Sequence, residues 1–156
     1  MATAQSLATT ETINGKRYYN IGEGKKYPSV TTILGAMTDK SGIDKWRKRV
    51  GDKEADRISK FSANRGTVMH QFCEYFLGSE KESVRERLLD AQTLIGPFVK
   101  ENGFTEDETN IGRKLFFNFY NNGCFDRIAK VVSIEDTLHS PQMGGYAGRV
   151  DIIYEN

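Results

Sequence analysis

Residues 129–138, AKVVSIEDTL, and 145–155, GYAGRVDIIYE, decide the fold reading. Both runs are rich in β-branched residues and alternate with a period of two. In the second, Val150, Ile152 and Tyr154 share one face, and Ala147, Arg149, Asp151 and Ile153 share the other. Between them, HSPQMG (139–144) is turn-forming, so the two runs are expected to pair as an antiparallel hairpin. Upstream, from about residue 30 to 122, the apolar residues recur at helical spacing instead. Helices come first and a sheet begins only near residue 130, which predicts an α+β fold.

Working outward from the hairpin, ETINGKRYYNI (11–21) sets Asn14-Gly15 between two β-prone runs, the signature of a two-residue hairpin turn. In KKYPSVTTILGAM (25–37), Pro28 ends an extended run and Ser29 caps a helix whose face Val30, Ile33, Leu34 and Met37 is expected in the core. Residues 42–66 predict two short helices, or one broken near Gly51. NRGTVMHQFCEYFLG (64–78) reads as a helix opened by Arg65-Gly66-Thr67, with Val68, Met69, Phe72, Cys73, Phe76 and Leu77 on its apolar face. Residues 81–101 predict more helix, interrupted at Gly96-Pro97. EDETNIGRKLFFNFYNN (106–122) predicts a helix with an acidic start and packing aromatics Phe116, Phe117, Phe119 and Tyr120. A two-stranded hairpin is marginal alone, so the N-terminal strands, or a third central strand, should join it.

The chain of 156 residues is expected to hold a lead-in at 1–10, small, polar and disordered, and a single domain at 11–156. A net charge of +1 makes no global case for a polyanion partner, so nucleic acid would need a local patch. Cys73 and Cys124 stand far apart and match neither a zinc spacing nor a disulfide framework. No stretch approaches an apolar span of about 20 residues, and the N-terminus is unlike a signal peptide. The expectation is a soluble, intracellular protein.

His70, Glu135 and Asp151 are the candidates for chemistry. His70 is either a hydrogen-bonded residue at the border of an apolar face or a metal ligand; Glu74, one turn on, could orient it. Asp151 is either on an exposed strand face or a ligand, and the missing side chain at Gly148 leaves room beside it. Glu135 could lie across the hairpin, and two such carboxylates suit magnesium. Lys45, Arg47, Lys48 and Arg49 flank Trp46, a pattern shared by phosphate-and-base contacts and by ordinary solvated helix faces. Arg65 with Gly66 at a helix start would offer donors to a phosphate.

The ordered set YPSVTTIL, WRKRVG…ANRGTVMH with Glu74, VVSIEDTL and GGYAGRVDII resembles the PD-(D/E)XK nuclease superfamily over about residues 16–154. It is most similar to RecB-type exonuclease domains of phage-like exonucleases and of the mitochondrial genome-maintenance exonuclease. The resemblance implies an α/β nuclease core, with an N-terminal hairpin and helices followed by the first strands of a mixed central sheet. It implies a metal-dependent DNA exonuclease acting on single-stranded or end-accessible DNA with Mg2+ or Mn2+ and no organic cofactor or membrane, in the host cytoplasm if phage-encoded. His70 and Asp151 match the family's metal ligands and Glu135 its glutamate on the preceding strand. Lys45, Trp46, Arg47, Arg49 and Arg65 become candidate strand contacts. The family's acidic-x-Lys element has no counterpart, since Glu155-Asn156 lacks the lysine. The expectation is therefore an N-terminal portion of such an enzyme, inactive alone. The competing reading is a non-catalytic module that binds nucleic acid or protein through the helix around Trp46.

Overall fold

In the computed structural model, which describes residues 8–156, Asn14 and Gly15 both take positive φ, 51° and 73°. That tight turn joins β1 (Thr10–Ile13) to β2 (Lys16–Asn20), in antiparallel register with Ile13 opposite Lys16. A third strand, β3 (Lys26–Pro28), pairs antiparallel with β2. Pro28 ends it, as expected. Ser29 then caps α1 (Val30–Met37), accepting from the Thr32 N–H at 3.0 Å. The helices α2 (Ser41–Val50), α3 (Asp52–Gly78), α4 (Val84–Asn102) and α5 (Glu106–Asn121) follow, then the antiparallel pair β4 (Lys130–Ser140) and β5 (Tyr146–Glu155). The fold is α+β.

Of the lead-in expected over 1–10, residues 1–7 lie outside the described residues, and Thr10 belongs to β1. The chain divides into two compact units. The first takes the chain up to Lys40 with Val132–Tyr154, and the second takes Ser41–Val131 with Glu155–Asn156.

In the first unit, a parallel bridge between Ser29, just after β3, and Ala147 of β5, both buried, joins the N-terminal segment to the hairpin. Gly145 lies over Tyr27 so closely that a Cβ there would enter the ring, and its φ of 91° also favours glycine. The third central strand is not found among the described residues. The expected core face of α1 is corrected: Val30, Ile33, Leu34 and Met37 are all exposed. Helical periodicity shows which side of α1 is apolar, but the unit's other elements reach only its first turn, where Val30 lies 3.5 Å from a Cβ placed on Gly148.

The second unit is built on α3, α4 and α5. Val68, Phe72, Phe76, Ala91, Ile95 and Phe116 form its buried core, with Met69 and Cys73 packed against it. Neither cysteine forms a disulfide. Gly51, with φ of 86°, separates α2 from α3 as expected. Two breaks expected from sequence do not occur. Arg65-Gly66-Thr67 opens no helix; it lies in the middle of the 27-residue α3. Helix α4 also runs through Gly96-Pro97. Pro97 removes one backbone donor, but Ala91 and Ile95 before it and Phe98 and Val99 after it pack on the same core. Glycine at 96 also spares the clash that proline imposes on the preceding Cβ.

Helix α5 starts with a capping box. Thr105 accepts from the Glu108 N–H at 3.2 Å, and the Glu108 carboxylate accepts from the Thr105 N–H at 2.8 Å. Glu108 is buried and also accepts from Asn64 of α3 at 2.8 Å. The Thr105 backbone bond, aided by Asn64, holds its carboxyl below the usual range despite burial. A depressed pKa contributes stability above the unfolded value, about 4.3, and loses it as pH falls through the folded value. Glu108→Gln is therefore expected to cost about 1–2 kcal/mol at neutral pH. In urea titrations the gap from wild type should close below about pH 4. An equal gap at pH 7 and pH 3 would refute this.

Candidate functional site

On α3, His70 and Glu74 are one turn apart, so their side chains project from the same helix face. Both are half-buried, and each offers a ligand atom within 4.8 Å of the other's. Gln71 donates to Glu74 at 2.9 Å, which fixes the carboxylate while leaving its second oxygen able to meet a cation or the imidazole. Burial raises the pKa of the adjacent Tyr75, and the charges of Glu74 and Glu101 push it further the same way. The second half of α3 thus carries a histidine and a carboxylate in chelating range, above the rigid Phe72 and Phe76 core.

On the hairpin of the first unit, Glu135 and Asp151 occupy the two paired strands. Glu135 accepts from Arg149 across the pair at 3.3 Å, so the expected approach of Glu135 to the GRVD segment holds. Glu135 is mostly buried, whereas Asp151 is exposed. The expected void beside Gly148 is bounded by Val30.

The backbone at Glu135 takes φ of 56° inside β4. Such a conformation costs a non-glycine residue roughly 1–2 kcal/mol. It also breaks the strand's alternation, as a bulge does. Consecutive side chains at Glu135, Asp136 and Thr137 consequently border one groove of about 700 Å3, together with His139 and the Gly22–Gly24 turn. Asp136 and His139 were not foreseen as site residues. Their signal was weak, because regular alternation puts Asp136 opposite Glu135.

The expected strand-contact residues divide. Lys45 and Arg49 are exposed on α2 and Trp46 is half-buried. Arg47 is engaged, donating to Asp52 at 3.0 Å and to Asp56 at 2.8 Å. The Asp56 bond, with Asp52, raises its pKa above the usual value. That guanidinium ties α2 to the start of α3. Arg65 lies over the Phe61 ring at 6.0 Å. The phosphate cradle expected at Arg65-Gly66 is corrected: mid-helix N–H groups are committed to the helix.

Among the described residues, no helix is long and apolar enough to cross a membrane. Comparison of the chain with protein-family models, with curated proteins and with solved structures finds no match.

Proposed function

We propose that the protein is a metal-dependent deoxyribonuclease of the PD-(D/E)XK type, in which His70 and Asp151 ligate Mg2+ or Mn2+ and Glu135 supports the site. The observation that carries the reading is the His70–Glu74 pair, half-buried and within 4.8 Å on one rigid helix. It coincides with the histidine that the motif order assigns to the metal. A bound divalent ion would act as Lewis acid on a phosphodiester and activate water. In that role Glu74 orients the imidazole and Asp151 supplies anionic charge.

Mn2+ binding followed by calorimetry tests the reading, together with binding of a labelled single strand with and without Mn2+. His70→Ala and Asp151→Ala are each expected to weaken Mn2+ binding tenfold or more and to abolish the metal-dependent part of strand binding. Affinities unchanged in both variants would sink it. The rival module around Trp46 is less supported, because Arg47 already serves Asp52 and Asp56.

A further inference from the structure

In the first unit, cations and carboxylates line different grooves. Glu135 and Asp136 border the 700 Å3 groove described above. A second groove, of about 550 Å3, is bordered by Arg17, His139, Tyr146 and Arg149 among others, with no carboxylate. A third, of about 710 Å3, is bordered by Lys16, Arg17 and Lys40, again with no carboxylate. The second and third grooves share Arg17 and Thr31, so they adjoin. Together they form one basic track in a chain whose net charge is only +1.

The track is rigidly placed. The Arg17 N–H donates to Thr32 Oγ1 at 3.1 Å, and its carbonyl accepts from the Ser29 N–H at 2.9 Å. These bonds pin β2 to the head of α1 through backbone atoms, leaving the exposed guanidinium available. Of the cations on the track, Arg149 is committed in part, to Glu135. The first turn of α1, with Val30 and Thr31 at the groove wall, adds backbone donors that lack intrahelical acceptors.

We propose that this track binds the phosphate backbone of a nucleic-acid single strand, running from Lys40 and Lys16 past Arg17 to Arg149, with an unpaired base against Tyr146 and His139. A line of cations with one carboxylate, Glu135, paired at its Arg149 end suits a polyanion, and rings at that end suit a base freed from pairing. The inference deepens the nuclease reading by naming a strand path, and rests on that reading only for the choice of polymer.

The test is fluorescence anisotropy of a labelled oligothymidylate in EDTA, across a range of salt. The triple variant Lys16→Gln, Arg17→Gln, Lys40→Gln is compared with Lys53→Gln, Lys81→Gln, Lys114→Gln, which removes equal charge from the second unit. The track variant is expected to bind at least tenfold more weakly, and its log K against log salt slope to flatten by about 2. The control should match wild type in both. Circular dichroism establishes that both variants are folded; if the track triple does not fold, Arg17→Gln alone should reduce the slope by about 0.7. Equal affinity and slope in the track variant and wild type would overturn the inference, as would failure of wild type to bind the strand. Because EDTA removes the metal, the outcomes separate. Track-dependent binding with unchanged Mn2+ affinity in the His70 and Asp151 variants sinks the nuclease reading alone, and the converse sinks the track alone.

Discussion

Phe116→Ala is expected to destabilise the helical unit by about 3–5 kcal/mol. The Phe116 ring is fully buried at the junction of the helices. It stacks on Phe72 at 5.2 Å and meets Phe76 edge-on at 5.9 Å, both from α3. From its own helix and the following turn, Phe117, Tyr120 and Phe125 approach within 5.3, 6.4 and 6.2 Å. Removing the ring leaves a cavity walled by stiff rings, which collapse less readily than aliphatic side chains. Phe119, three residues on, gives the contrast: it is 39% exposed, and its ring contact is Phe125 at 5.2 Å. Phe119→Ala should cost less, about 1–2 kcal/mol, since more than a third of its area already faces water. Urea unfolding followed at 222 nm checks both. A loss below about 2 kcal/mol for Phe116→Ala, or equal losses for the two variants, would contradict the assignment.

The contrast also shows what periodicity can deliver. The run FFNFY announces a packing face, and Phe116 with Tyr120 follows the helical repeat that points toward α3. The Asn14-Gly15 turn, the Ser29 cap, the acidic start of α5 and the final hairpin were legible for the same reason: each is a local pattern with a local cause. The failures concern what tertiary packing adds. Nothing in VTTILGAM tells how much of an apolar face the rest of the chain will cover. At Gly96-Pro97 the local penalty was read correctly and then outweighed by flanking contacts. In the candidate site, the His70–Glu74 spacing was legible because one helical turn separates the residues. The left-handed backbone at Glu135 was not, since glutamate carries no preference for it. Nor was the capture of Arg47, which needs Asp52 and Asp56 brought around a turn at Gly51.

Gly112→Ala and Gly66→Ala are expected to shift stability in opposite directions, although both replace a mid-helix glycine with the best helix former. Propensity alone predicts a gain of roughly 0.5–1 kcal/mol for each. Gly66 realises it, because a Cβ there meets nothing within 4 Å. Gly112 is where α5 crosses α3. A Cβ at that position would fall 2.6 Å from Val68 Cβ and Cγ1 and 2.8 Å from the Arg65 carbonyl oxygen. Val68 is fully buried and the carbonyl belongs to helix backbone, so neither can swing aside. Relief requires α5 to move off α3, which loosens the rings around Phe116. Overpacking of this kind costs about 1–3 kcal/mol, enough to overrun the propensity gain. The sequence ANRGTV is thus explained differently from a helix start. Arg65 and Val68 form the floor on which Gly112 rests, and Gly66 faces away from the crossing. Thermal melts of the two single variants and the double variant decide the matter. Gly112→Ala should melt below wild type and Gly66→Ala above it. The double variant should lie near the sum, because Gly66 and Gly112 share no contact. A Gly112→Ala protein as stable as Gly66→Ala would show that α3 and α5 do not cross at this distance.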